Sequence, residues 1–407
     1  MSISPVLLSA RERLLRELAE ELASLETDDL RRHLTTIDGV GGPRVRIAGR
    51  ELITWCSNDY LGLATHPALV EAAAAAAADW GIGARASRLL AGSTRWHARL
   101  EEALAAWFGT DEAIVYPSGY LANLGTLGAI LSPRDAVFLD RLAHASLFDA
   151  VRATRARLRV FRHNDLSHVA SLLSRAGAAR RRLIVTEGIF SMEGDACPLA
   201  ELVELAEAHG ALVYLDDAHG AFVAGPTGRG IPEAAGVPHE RFLYMATLGK
   251  GLGAQGGFVV GPRTLVEFLR NRARTFLYTT ALAVPVAAAA AAALRLLDEE
   301  PVRRERLRVR TRQLSERLAG EGLSTPPPIQ EMGSVVPVAS HIVPVVLGPA
   351  QRAVDVARRL WDRGCWVGAI RPPTVPEGTA RLRLSVTALH TEAHVEALVE
   401  ALRAALK

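Results

Sequence analysis

The sequence predicts an α/β fold, with a mostly parallel central sheet in a large domain and a smaller α+β domain at the C-terminal end. Three observations carry this. Short apolar runs alternate with longer helical patterns almost to residue 290. Several of those runs are continuous rather than alternating, as strands covered by helices on both faces must be. Beyond them come two long helical patterns and then a second, shorter set of strands and helices.

Leu7, Leu8, Leu14, Leu15, Leu18, Leu22 and Leu25 recur at helical spacing with charges between them, so the chain opens with an amphipathic helix whose apolar face needs a partner. Gly39, Gly41, Gly42 and Pro43 break that pattern. Strands are expected over 113–116, 136–139, 183–186, 211–216, 242–246 and 257–260. Helices should begin at Pro67 and Pro198 and stop at Gly81, Gly109 and Gly210. Helical patterns then run through Leu297 and from Val302 to Leu318, ahead of a loop centred on Pro326, Pro327 and Pro328. Strands near 342–347, 365–370 and 382–386, with helices over 350–363 and 391–406, complete the chain. The expected division is an N-terminal helix and arm over 1–50, a large domain over 51–290 and a small domain over 291–407.

Composition excludes several classes. At 407 residues the chain is long enough for two or three domains of roughly 150 residues. With 49% hydrophobic and 22% charged residues it is no disordered chain. Lys plus Arg (47) nearly balances Asp plus Glu (44) and no basic stripe appears, so nucleic acid is not an expected partner. Cys56, Cys197 and Cys365 are widely spaced and form no CxxC, which argues for a reducing compartment, the cytoplasm, over a disulfide framework or zinc knuckle. The apolar stretch 281–294 is alanine-dominated, contains Pro285 and is too short for a membrane span. Arg11, Glu12 and Arg13 arrive too early for a signal peptide.

In open parallel sheets, ligands gather beyond the carboxyl ends of the strands. Four such ends carry polar residues: Ser118-Gly119-Tyr120, Glu187 to Ser191, Asp216-Asp217-Ala218-His219 and Thr247-Leu248-Gly249-Lys250-Gly251. Ser118-Gly119-Tyr120 opens a helix in the manner of a phosphate site, although strand, glycine turn and helix are also an ordinary connection. The nucleotide motifs fail, because Lys250 is followed by Gly251 and Gly81-Ile82-Gly83 follows a helix rather than a strand. Lys250 between two glycines is either a surface turn or an amine poised to become neutral and bond an aldehyde cofactor. Asp216, carried inward by an apolar strand, needs a cationic partner, and a protonated pyridine nitrogen would serve. The alternative makes Asp216, Asp217 and His219, with His144 or Glu187, the ligands of a metal-dependent hydrolase.

Taken together, Asn58-Asp59-Tyr60-Leu61-Gly62-Leu63, Ser118-Gly119-Tyr120-Leu121-Ala122-Asn123, His144-Ala145-Ser146, His163-Asn164-Asp165, Glu187-Gly188-Ile189-Phe190-Ser191-Met192-Glu193-Gly194-Asp195, Asp216-Asp217-Ala218-His219-Gly220 and Thr247-Leu248-Gly249-Lys250-Gly251 resemble the α-oxoamine synthases, fold-type I enzymes that use pyridoxal phosphate. The resemblance runs from about residue 50 to the C-terminus. It implies that Lys250 forms a Schiff base with the cofactor, Asp216 pairs with the pyridinium nitrogen, His219 and Ser191 bond the ring hydroxyl, and His144 stacks on the ring. Gly119, Tyr120 and Thr247 would hold the phosphate, with Thr280 reaching that of a neighbouring subunit in a homodimer with shared sites. Asn58, Arg383, Thr374 and Arg31, or its neighbour Arg32, are the substrate-side residues, Arg383 gripping the amino acid carboxylate. The segment from Gly364 to Pro376 points to the branch that condenses L-alanine with a pimeloyl thioester on CoA or acyl carrier protein; a sister branch joins glycine to acetyl-CoA. Many relatives carry glycines in place of Arg85 and Ala86, so a channel lined by this loop would have its own substrate preference.

Overall fold

The computed structural model describes residues 9–323, 326, 329 and 340–407; Leu7, Leu8, Pro327 and Pro328 of the expectations above lie outside them. The chain parts into two compact units. Ser57–Val343 with Ser385–Val395 form the larger, and the chain through Cys56 with Pro344–Leu384 and Glu396–Lys407 forms the smaller.

The smaller unit begins with α1 (Ala10–Thr27), β1 (Gly39–Gly41), β2 (Arg44–Ile47) and β3 (Arg50–Thr54). Ser9 caps α1 with Glu12 in a reciprocal box: the Glu12 amide donates to Ser9 Oγ at 3.2 Å and the Ser9 amide to Glu12 Oε2 at 2.7 Å. The leucine stripe forms as expected, and Leu14, Leu15, Leu18, Leu22 and Leu25 stay exposed in the single chain.

The larger unit follows with α2 (Pro67–Trp80), α3 (Arg95–Phe108), β4 (Glu112–Tyr116), α4 (Gly119–Ile130), β5 (Ala136–Asp140), α5 (Ala145–Thr154), β6 (Arg157–Phe161), α6 (Leu166–Ser174), β7 (Arg182–Glu187), α7 (Leu199–Ala208) and β8 (Leu212–Asp216). After these come α8 (Ile231–Ala235), β9 (Phe242–Thr247), β10 (Gly257–Gly261), α9 (Arg263–Arg272), α10 (Arg274–Leu277), α11 (Val284–Glu299) and α12 (Val302–Gly320). Seven strands form one sheet in the order β4-β10-β9-β8-β7-β5-β6. Strands β5 to β9 run parallel, and β10 lies antiparallel to both β4 and β9. Every residue of β5 and β10 is buried, the two-sided burial that continuous apolar runs predict. Strand β6, Arg-Leu-Arg-Val-Phe, was not expected; it is the edge of the sheet, where arginines on an open face hide the strand signal. The alanine-rich α2 and α11 pack against each other, which explains both alanine runs. Among the described residues no helix is long and apolar enough to cross a membrane.

The smaller unit resumes with β11 (Ile342–Gly348), α13 (Ala350–Asp362), β12 (Cys365–Trp366), β13 (Gly368–Ile370), β14 (Ala380–Ser385) and α14 (Glu392–Leu406). Its sheets run β1-β2-β3-β12 and β11-β14-β13. The single strand expected over 365–370 is interrupted at Val367, and its halves join different sheets. Parallel pairing of Ile53 with Cys365 and of Thr54 with Trp366 ties the N-terminal arm to the C-terminal residues, and Val45, Ile47 and Leu52 bury themselves against Trp361 and Trp366. The units therefore differ from the stretches 1–50, 51–290 and 291–407: the arm belongs with the C-terminal sheet, and α12 with the larger unit.

Candidate active site

The carboxyl ends of β4, β7, β8 and β9 border one cavity of about 170 Å³ in the larger unit. Of the residues expected at the site, Gly119, Tyr120, His144, Asp216, His219, Thr247 and Lys250 line it, joined by Asn123, Ser146, Glu187, Ala218 and Met245. Gly119 and Tyr120 begin α4, whose first amides have no carbonyl of their own helix to bond, and Ser118 Oγ caps it by accepting from the Leu121 amide at 3.2 Å. A Cβ on Gly257 of β10 would fall 2.6 Å from Gly119 Cα, so that glycine is what lets the turn lie against the sheet. Thr247 shapes the opposite turn, its hydroxyl donating to Gly256 O at 2.7 Å and accepting from the Gly249 amide at 3.1 Å.

Asp216 is buried, with Oδ1 accepting from the Ala218 amide at 3.0 Å and Oδ2 from Asn123 Nδ2 at 2.7 Å. Lys250 Nζ stands 2.6 Å from His219 Nε2, and His219 Nδ1 stands 2.7 Å from Tyr60 Oη. Tyr60 Oη donates to Asn58 Oδ1 at 3.1 Å, so Tyr60 accepts from a protonated His219 Nδ1, leaving Nε2 as the acceptor for the lysine amine. A directed path thus runs from Lys250 through His219 and Tyr60 to Asn58.

Two further carboxyls flank Asp216. Burial, then the charge of Asp216, raises the Glu187 carboxyl well above the usual range, and its Oε1 has no hydrogen-bond partner. Asp217 is wholly buried; its Oδ2 accepts from the Ile231 amide at 2.9 Å and from Tyr244 Oη at 3.0 Å, and burial pushes it up to about 8. A Cβ on Gly188 or Gly220 would meet Asp217 Oδ1 at 2.1 Å, and one on Gly230 would meet Oδ2 at 2.0 Å, so the backbone of three glycines lies close against this acid. Asp217 therefore braces the loops after β7 and β8. No group of three or more side chains able to hold a metal ion occurs among the described residues.

Away from the cavity lining, His163 lies between two acids, with Nδ1 3.1 Å from Asp140 Oδ1 and Nε2 2.9 Å from Asp195 Oδ2. Burial opposes its charge, but the bonds to Asp140 and Asp195 outweigh burial and raise it to about 10. Relative to an unfolded histidine near ~6.5, the stability this proton brings is complete below that value and is lost as pH rises through about 10. The unfolding free energy from urea titration is expected to fall across that alkaline window by an amount on the order of a few kcal/mol, and His163→Gln to flatten the fall. A variant as pH-dependent as the parent would contradict this.

A family model described as aminotransferase class I and II matches residues 50–402. The chain belongs to that family. Among its curated relatives, 8-amino-7-oxononanoate synthase of Anaeromyxobacter dehalogenans (strain 2CP-1) is 47% identical over 376 residues, covering 92% of each chain. The enzyme of that name from Citrifermentans bemidjiense is 43% identical and covers 93% of this chain and 95% of its own. Among solved structures, a serine palmitoyltransferase from S. paucimobilis with bound PLP superposes with a TM-score of 0.89 at 32% identity, over 97% of both chains. An 8-amino-7-oxononanoate synthase from Francisella tularensis gives a TM-score of 0.73 at 26% identity, over 87% of this chain and 98% of its own. The fold is thus that of the pyridoxal-phosphate transferases, and pyridoxal phosphate is the cofactor.

The residues present fit that cofactor. A helix N-terminus suits its phosphate, the Asp216 carboxylate its ring nitrogen and the Lys250 amine its aldehyde, all on one cavity. Glu187 Oε1, buried at the cavity wall without a partner, is the kind of orphaned polar atom a polar ligand satisfies.

The remaining expected residues stand elsewhere. Ser191 is buried in the loop after β7 and does not line the cavity; Asn58 accepts from Tyr60, and Thr280 is exposed. In the smaller unit, Arg383 is buried on β14, Thr374 is exposed, and exposed Arg31 pairs with Glu26 at 3.2 Å while Arg32 bonds Pro372 O at 3.2 Å. Arg85 holds a left-handed backbone (φ +71°), the conformation a glycine would take there at lower cost, and its guanidinium bonds Trp80 O at 3.3 Å. Sequence reasoning gave no role to Tyr60, Asn123 or Ser146. The signal was present for Asn123, the lone amide in the largely apolar helix Gly119–Ile130.

Proposed function

We propose that this chain condenses L-alanine with a pimeloyl thioester to give 8-amino-7-oxononanoate, CO2 and the free CoA or carrier-protein thiol, a step of biotin biosynthesis. The observation that carries the reading is the convergence of Lys250 and Asp216 on one cavity, in a chain that aligns along 92% of its length with relatives bearing that enzyme's name.

Pyridoxal phosphate supplies an electron sink for the pair left on the alanine Cα when its proton departs, and again when CO2 leaves. Lys250 would hold the cofactor through its amine and, when that amine is free, would take the Cα proton. His219, within 2.6 Å of that amine, accepts a proton in turn, and Tyr60 extends the path. Asp216 keeps the ring nitrogen protonated, with Asn123 and the Ala218 amide fixing its two oxygens. Gly119, Tyr120 and Thr247 take the phosphate, Ser191 with His219 the ring hydroxyl, and His144 the ring face. Arg383 grips the alanine carboxylate, and Thr374 and Arg31 serve the acyl side. The alanine Cα then bonds the thioester carbonyl carbon as the carbon–sulfur bond breaks and the thiolate leaves to take a proton from water; the carboxylate departs as CO2, and the Lys250 ammonium returns a proton to Cα.

Two copies make the working unit. Ile82, Leu89, Leu90 and Tyr278 are more than half exposed, and a bond from the Ala281 amide to Ala86 O ties their two segments together, an apolar surface of the kind a second subunit covers. Exposed Thr280 sits on that segment, outside its own cavity.

Incubated with L-alanine and pimeloyl-CoA, the purified protein is expected to release CO2 and free thiol in equal amounts. Glycine with acetyl-CoA should turn over at least roughly tenfold more slowly. The opposite preference would move the chain to the sister reaction.

A further inference from the structure

Beside Asp216 runs a chain of hydrogen bonds in which each proton has one permitted direction. Tyr214 Oη donates to Asn123 Oδ1 at 2.9 Å, which fixes how the amide points. Asn123 Nδ2 therefore faces both Asp216 Oδ2 at 2.7 Å and Ser146 Oγ at 2.9 Å, spending its two hydrogens there. With Ser146 Oγ accepting from Asn123, its own proton is left for His144 Nδ1, 2.8 Å away. The Ser146 main-chain amide donates to the same ring nitrogen at 3.2 Å, as His144 caps α5. Nδ1 thus receives two donors and has no room for a hydrogen of its own.

We propose that Asn123 and Ser146 are positioning residues that lock His144 in the neutral tautomer carrying its proton on Nε2. Both are about 1% exposed, so water does not compete for these bonds. The charged groups around the ring do not overturn the lock. Asp216 and Asp149 favour a cationic ring, Lys250 opposes it, and partial burial, the largest influence, leaves the ring below the ordinary histidine value. Glu187, which accepts from the His144 main chain, is itself shifted toward its neutral form. His144 consequently offers the cavity a donor and no base, and any proton it moves is one it gives. That last consequence rests on the proposed reaction; the tautomer does not.

The test is ring ¹⁵N NMR on the full chain labelled at histidine, with His144→Gln to assign the signals, both cofactor-free and loaded. The expected result is one ring proton, on Nε2, throughout the neutral range. Ser146→Ala should raise the ring's titration by roughly half a unit to one unit, the worth of one hydrogen bond, and Ser146→Thr should restore it. In the loaded protein the pH profile of the visible band should shift in Ser146→Ala and not in Ser146→Thr. A proton on Nδ1 in the parent, or a Ser146→Ala ring that titrates like the parent, overturns the proposal; the parent spectrum decides even if the alanine variant fails to fold. A colourless protein would count against the cofactor and leave the ring assignment readable.

Discussion

Replacing Lys250 by alanine is expected to lower turnover by about 10⁴-fold, since it removes both the covalent hold on the cofactor and the base for the Cα proton. The loss should be chemical rather than structural. Lys250 is half-buried in a turn outside the hydrophobic core, so a thermal midpoint close to the parent's is expected. Borohydride treatment of the parent should leave the cofactor's mass on the peptide containing Lys250, and on no peptide of the variant. A parent protein that borohydride labels elsewhere would refute the assignment, as would a Lys250→Ala enzyme turning over at a normal rate.

Asp216→Ala should lower kcat by about 10²- to 10³-fold, the scale of removing one preorganised charge from a reaction centre. Asp216 is buried and holds the Asn123 amide at 2.7 Å, so truncation also strands a donor, at a cost of roughly 1–3 kcal/mol. Asp216→Asn separates the two effects. It keeps an oxygen for Asn123 and the side chain's shape while deleting the charge, but turns a donor toward the Ala218 amide, so it should recover part of the thermal stability and little of the turnover. Near-normal turnover in either variant would remove the electron-sink argument.

The strands of the larger sheet other than its edge strand β6 were legible because burial on both faces leaves continuous apolar runs, as in Ala136–Asp140 and Leu212–Asp216. The ligand end was legible for the same reason: a polar residue that ends such a run stands out, as Asp216 and Thr247 do. Strands β1 to β3 were not, because the sheet that stabilises them is completed by Cys365 and Trp366, some 310 residues along the chain. Asp217 was ambiguous in sequence, since acids two positions apart from a histidine serve a metal, a helix or a turn equally well. Its partners, the Ile231 amide and Tyr244 Oη, belong to elements 14 and 27 residues away. The path from Tyr214 to His144 was hidden likewise, since its bonds from Tyr214 to Asn123 and from Asn123 to Ser146 join different elements that no spacing rule connects.

The acid wrapped by Gly188, Gly220 and Gly230 limits how this enzyme can be diversified. Each of those codons is a forbidden position, because even a methyl group would collide with a carboxyl that cannot retreat into solvent. Laboratory evolution toward other acyl donors would waste every library member altered there. Variation is better placed at Arg85, Ala86 and the other exposed or half-covered loop positions, where a new side chain meets no buried carboxyl.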